Sequence, residues 1–223
     1  MKSDYKHTRL GTIYRDETIR QLDLRAKHGR VLDVGCHDGY ILHHVDADLR
    51  VGVDLRPMPV YTNIDYVCAD GCALPFEPGS FDHIFALDVL EHIADDAMFA
   101  RSLINMLDLQ GELFITTTSK EIRLTPRWLT NWISQRWGHT LRAGYIPAKL
   151  KLLFQNEYFS VSIHPWNAPW YRFFYLSLRI LQIILPQLAI QLARKLSQID
   201  SHYRKGLHGF YHIEVFPGTG IAS

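Results

Sequence analysis

At 223 residues with 47% apolar content, the chain is long enough for one well-buried domain, and two independent domains would be a squeeze. A net charge of +1 names no partner by itself. Cys36, Cys68 and Cys72 are an odd number of thiols, and no charged segment followed by an apolar stretch opens the chain, so a reducing, cytoplasmic compartment is expected.

Charge is unevenly spread. Residues 119–208 hold 13 Lys or Arg against 3 Asp or Glu, and the rest of the chain holds 11 against 20. All five tryptophans, Trp128, Trp132, Trp137, Trp166 and Trp170, lie in the basic part. Cys68 and Cys72 make a poor metal pair, because only two thiols are present and no His sits at ligand spacing.

In chain order, residues 1–11 read as a polar lead-in, and Ile13 to Ala26, with Ile19, Leu22 and Leu24, as a covering helix. Val31 to Val34 is a short apolar run holding one acid and bounded by Gly, the pattern of a buried parallel strand. Gly35 and Gly39 form a turn, and a helix runs from Tyr40 to about Val45. Further strands are expected at Arg50 to Asp54, Ile64 to Ala69 and Phe81 to Leu87. A helix is expected over Ala94 to Leu107, then a turn at Leu109-Gln110-Gly111 into a strand over Glu112 to Thr117. Strands and helices alternating at this rhythm predict an α/β, Rossmann-like, doubly wound parallel sheet. Ligands of such sheets sit at the carboxyl ends of the strands, and Asp33, Asp54, Asp70 and Asp88 all fall at or near such ends.

The glycine turn admits two readings. A dinucleotide fold wants G-x-G-x-x-G, which this sequence does not supply. What it has is Asp33-x-Gly35-x-x-x-Gly39 with a second acid, Asp54, closing the next apolar run. Asp33 would repel a pyrophosphate and welcome a cationic amine, while Asp54 could accept two ribose hydroxyls. A ligand with a ribose, an ammonium group and no phosphate fits S-adenosylmethionine.

The segments VLDVGCHDGY, VGVDLRP and CADGCALPFEPGSFDHIFALDVLEHI resemble the successive motifs of class I S-adenosylmethionine-dependent methyltransferases of the small-molecule type, over about residues 30–118. The resemblance implies a seven-stranded sheet with an antiparallel last strand. It implies cofactor contacts at Asp33, Gly35, Cys36, Gly39, Asp54, Leu55, Asp70, Gly71 and Asp88, with the acid at Asp70 facing the adenine amino group. The competing reading of Asp70 is a turn cap. Where the family's turn usually has a glycine, this chain has His37, so the backbone there is expected to be right-handed or the loop reshaped.

A helix over Pro147 to Phe154, a sixth strand over Tyr158 to His164 and a seventh over Gly209 to Phe216 complete the pattern. One domain is expected over 1–223, with a core of about 12–118, 147–164 and 209–217. The surplus segments, about 119–146 and 165–208, would form a lid that selects the acceptor.

Methyl transfer needs mostly positioning, and a base only if the acceptor must lose a proton. Asp88, Glu91 and His92 form D-x-x-E-H, and His139 follows in Gly138-His139-Thr140. This set is similar to one in polyprenyl-catechol O-methyltransferases, where an acid, Glu-His and a later His can hold a divalent ion. The same Glu-His pair occurs in family members without metal, and the favoured reading has none, leaving His139 as a plain base or acceptor contact. The marks of exocyclic-amine and cytosine C5 enzymes are missing: Asp88 is followed by Val89, and no cysteine follows Pro.

Ile180 to Ala193 is a run of fourteen uncharged residues, too short and too broken by Gln182, Pro186, Gln187 and Gln191 to span a bilayer. Phe173, Leu176, Ile180, Ile184, Leu188 and Leu192 fall on one helical stripe flanked by Arg172, Arg179, Arg194 and Lys195. Within 166–201 such a stripe either packs on the protein's own core, the slightly favoured expectation, or lies at a membrane surface. The leading functional reading is methyl transfer from S-adenosylmethionine to oxygen or carbon of a small-molecule or lipid-linked acceptor. RNA methylation, a non-catalytic S-adenosylmethionine-binding protein and a nicotinamide enzyme are the alternatives, and nucleic acid is disfavoured.

Overall fold

The computed structural model of the protein describes residues 10–21, 23, 29–120, 144–200 and 210–218. Seven strands form one sheet in the order β3-β2-β1-β4-β5-β7-β6. They are β1 (Arg30–Val34), β2 (Leu49–Asp54), β3 (Asp65–Cys68), β4 (Phe81–Leu87), β5 (Leu107–Thr118), β6 (Phe159–Trp166) and β7 (Phe210–Pro217). The first five pair in parallel, and β7 runs antiparallel to both β5 and β6. This is the expected doubly wound arrangement, with β1 and β4 meeting at the point where strand order reverses.

Side chains alternate between two cores because successive residues of a strand face opposite ways. Leu32, Val34, Ile84 and Ala86 join the core under α3 (Asp96–Met106) and α4 (Pro147–Phe154). Val31, Phe85 and Phe114 join the core under α1 (Leu10–Gln21) and α2 (Tyr40–His43).

The expected turn at Leu109-Gln110-Gly111 lies inside β5, which begins at Leu107 directly after α3. Pairing jumps from Phe81 with Leu107 to His83 with Glu112, so the turn residues bulge from the ladder. Asp108 Oδ1 accepts a hydrogen bond from the Gln110 N–H at 2.8 Å there.

Helix α1 differs from a simple covering helix. Residues 13–19, including Arg15, Asp16, Glu17 and Thr18, are all buried, because a further layer packs over them. That layer is the β6–β7 insertion, folded as α5 (Pro169–Ile184) and α6 (Pro186–Asp200). Pro186 cannot continue the hydrogen-bonding of α5, and Leu185 before it leaves the helical conformation (φ −134°, ψ 74°), so the chain folds back.

Buried Asp200 fixes this hairpin. Its oxygens accept the Trp170 and Tyr171 backbone N–H groups at the start of α5, each at 3.0 Å, and the Tyr14 hydroxyl at 3.1 Å. The Tyr14 hydroxyl also accepts from Trp166 Nε1 at 2.9 Å. The hairpin turns Tyr171, Leu178, Ala189, Ile190 and Ala193 inward, and the expected stripe of Phe173, Leu176, Ile180, Ile184, Leu188 and Leu192 is exposed. The expectation that the stripe packs on the core is thereby corrected. Close approach of α6 to α1 selects small residues such as Ala189, Ala193 and Ser197, which leaves the larger apolar side chains outside.

Candidate active site

Strand β1 delivers Asp33 to the sheet's carboxyl edge, where the chain turns through Gly35 (φ 86°), His37 (φ 52°) and Gly39 (φ 76°). Of the two family-based expectations at His37, the right-handed backbone is corrected: this residue holds the left-handed conformation itself. Its N–H donates to Asp54 Oδ2 at 3.0 Å, and that bond compensates a conformation that L side chains adopt at a cost. A side chain at Gly35 would meet Val89 Cγ2 at 2.2 Å, and one at Gly39 the Tyr66 hydroxyl at 2.3 Å. Both glycines are therefore demanded by packing as well as by φ.

A cleft of about 190 Å³ opens above this turn, lined among others by Gly11, Arg15, Asp33, Cys36, Asp38 and Asp88. A larger cavity of about 520 Å³, bordered by His83, Glu112 and Glu214, lies at the opposite end of the parallel strands. Asp33 is almost fully buried, and burial with Asp54 and Asp38 nearby pushes its carboxyl up to about 7. Such a group is stabilised by an incoming cation. The Cys36 thiol is raised by burial and by the charges of Asp33 and Asp54, so it stays neutral. Asp54 also takes the Arg56 N–H on Oδ1 at 3.0 Å, and each carboxylate oxygen keeps a further lone pair. Leu55 beside it is 66% exposed. Asp70 is exposed and takes the Cys72 N–H on Oδ1 at 2.9 Å, so it caps a turn. Gly71 packs against Phe99 and Val34 with no room for a side chain.

Asp88 closes the far wall in another left-handed conformation (φ 54°). Arg15 Nε donates to its Oδ2 at 2.9 Å and Thr116 Oγ1 to its Oδ1 at 2.8 Å. Arg15 is held further by the face of Phe210, 4.0 Å from its guanidinium carbon, and its Nη1 is buried without a hydrogen-bond partner among the described residues. Glu91 and His92, on a 3₁₀ turn over Leu90–His92, point apart: Glu91 is buried and accepts from Thr117 Oγ1 at 2.8 Å, whereas His92 is exposed. Burial and the neighbouring Asp88 charge raise the Glu91 carboxyl above its ordinary range. Among the described residues no cluster of three or more His, Cys, Asp or Glu could hold a metal ion, and His139 lies outside them.

The sequence reading missed Arg15, Thr116 and Thr117. The available signal was the charged triplet Arg15-Asp16-Glu17 inside a segment of otherwise helical apolar spacing.

A family model described as "Methyltransferase domain" matches residues 5–161. The chain belongs to the methyltransferase domain family. Among curated relatives, a tRNA U34 carboxymethyltransferase from Sulfurimonas denitrificans is 34% identical over 117 residues, 45% of this chain and 40% of that protein. A ubiquinone biosynthesis O-methyltransferase from Azorhizobium caulinodans is 25% identical over 64% of this chain and 66% of its own length. The ubiquinone/menaquinone biosynthesis C-methyltransferase UbiE of Idiomarina loihiensis is 34% identical over 46% of this chain and 41% of its own. The methyltransferase domain thus spans from about two fifths to two thirds of these relatives. Among solved structures, Haemonchus contortus phosphoethanolamine N-methyltransferase 2 in complex with S-adenosyl-L-methionine shares the fold at a TM-score of 0.61 and 17% identity, over 91% of this chain and 52% of that one. The [4+2]-cyclase SpnF shares it at 0.57 and 17%, over 92% and 82%.

Proposed function

We propose that this methyltransferase domain transfers the methyl group of S-adenosylmethionine to oxygen or carbon of a small-molecule or lipid-linked acceptor in the cytoplasm. The observation that carries the reading is the acid-lined, phosphate-unfriendly cleft at the sheet's switch point, with Asp33 buried in it. S-adenosylmethionine fits that wall: its ammonium answers the raised carboxyl of Asp33, and its carboxylate answers the orphan Nη1 of Arg15. Asp54 would take the ribose hydroxyls, and Leu55 and the turn Asp70–Gly71 would flank the adenine. The tight turn through Gly35 and Gly39 would bring the backbone around Cys36 close to the ligand.

Bound there, the cofactor supplies an electrophilic methyl on a sulfonium. The protein's share is to orient and dry the site. Asp88, pinned between Arg15 and Thr116, keeps the wall fixed. Glu91, buried on Thr117, holds the turn that bears His92. Where an acceptor hydroxyl must lose a proton, His92 or His139 would take it. Calorimetric titration with S-adenosylhomocysteine and with NAD tests the cofactor, and transfer of labelled methyl to a catechol or quinol tests the acceptor. Tight NAD binding without S-adenosylhomocysteine binding would overturn the reading, and turnover unaffected by a chelator would exclude a divalent ion held by Asp88, Glu91, His92 and His139. RNA methylation is the second reading, favoured by the basic, Trp-rich residues 119–208. RNA filter binding at two salt concentrations separates it.

A further inference from the structure

The outward face of the α5–α6 hairpin carries a run of large exposed apolar side chains. Ile180, Ile183 and Ile184 are 62%, 85% and 68% exposed, and Phe173, Leu176 and Leu188 continue the surface. Soluble domains seldom leave so many large apolar side chains together in water without a use for them. Loose packing does not account for it, because the inner face is anchored: hydrogen bonds join the buried Asp200, Tyr14 and Trp166, and Ser197 meets Thr18 at 3.2 Å.

Charge decides what the face meets. From Pro169 to Ile199 the hairpin contains no acidic residue. Its four basic residues divide by direction. Arg194 reaches inward to the Tyr40 hydroxyl at 2.9 Å, and Arg172 is half-buried beside Asn167, whereas Arg179 and Lys195 are exposed. The other exposed polar residues there, Ser177, Gln187, Gln191 and Gln198, are neutral. A second copy of this face would bring cations and no carboxylate to pair with them, since Pro169 to Ile199 holds no acidic residue. An anionic bilayer answers both the apolar area and the positive charge. Neither helix is long and apolar enough to cross a membrane.

We propose that this face docks the protein on an anionic phospholipid bilayer, with Ile180, Ile183 and Ile184 near the hairpin tip entering the boundary between headgroups and acyl chains. The docking stands apart from the chemistry proposed above, since vesicle binding is read without turnover.

Co-sedimentation of the full chain with vesicles of phosphatidylcholine, with and without added phosphatidylglycerol, tests it. Binding should rise with the anionic lipid and fall with salt. The triple variant I180D/I183D/I184D should lose binding while keeping its melting temperature. R179Q/K195Q should weaken binding to anionic vesicles by roughly 25-fold, about fivefold for each basic residue. Three results would each overturn the proposal: a wild type that ignores both kinds of vesicle, a dimer that the triple variant splits into monomers, or a triple variant that melts far below the wild type. Independently of the triple variant, unchanged binding of R179Q/K195Q to anionic vesicles would also overturn the proposal.

Discussion

Arg15 of the first helix donates from Nε to Asp88 Oδ2 at 2.9 Å, tying together residues 73 apart in sequence and closing one wall of the cleft. Arg15 is buried, and Asp88 is about a third exposed. Replacing Arg15 by Met should therefore cost about 1–3 kcal/mol of stability, less than a fully buried pair, because solvent screens the orphaned carboxylate. Thermal denaturation reads that loss. Calorimetry should show S-adenosylhomocysteine affinity reduced at least as much, and equal affinity would detach Arg15 from the ligand.

Asp54 serves two masters, the turn at His37 and the expected ribose. Asp54→Ala should weaken S-adenosylhomocysteine binding by roughly 1.5–3 kcal/mol. Asp54→Asn keeps an acceptor for the His37 N–H and should retain the melting temperature while still losing most of that affinity. If Asn restores full binding, the carboxylate charge is irrelevant to the ligand.

The Asp33 carboxyl, raised to about 7, makes the ligand-free protein pH-sensitive. Against about 4 for an unfolded-chain aspartate, its stabilising contribution is complete below about pH 4 and is lost as pH rises through about 7. Melting temperature should accordingly decline over that window, and Asp33→Asn should flatten the decline. S-adenosylhomocysteine should abolish the dependence and release a proton on binding near pH 6, measurable as an enthalpy that varies with the buffer. Identical pH profiles for wild type and Asp33→Asn would remove Asp33 from this role.

Gly35→Ala sets a methyl 2.2 Å from Val89 Cγ2 on a backbone at φ 86°. It should destabilise by about 1–3 kcal/mol through overpacking and strain. Adding Val89→Ala should recover the part due to the clash and none of the part due to φ. Full recovery in the double variant would show that the left-handed backbone costs nothing there. His37→Gly makes the complementary case and should raise stability by up to about 1 kcal/mol.

Strand positions were legible to within a few residues because buried parallel strands are written as apolar runs, as in Val31 to Val34, Val51 to Val53 and Phe81 to Leu87. The acids at strand ends were legible for the same reason. Arg15 was not, since a buried cation looks like a surface residue until its partner, 73 positions away, is known. The hairpin's orientation was hidden too. A stripe of large apolar residues ordinarily faces the core, and here close contact of Ala193 and Ser197 with α1 reversed the helix faces.

The bond from Tyr14 to Asp200 spans 186 positions, and it holds the helix that carries Arg15. During synthesis, the first helix leaves the ribosome long before its clamp exists. Strands β1 to β5 can pair in order as they emerge, yet α1 gains its outer layer only when α6 has been made. Contacts of such sequence separation form slowly, because a long loop must close before they yield any stabilisation. The cleft is therefore completed only once Asp200 has been made, and a nascent chain arrested before residue 200 would carry the glycine turn without a finished ligand site.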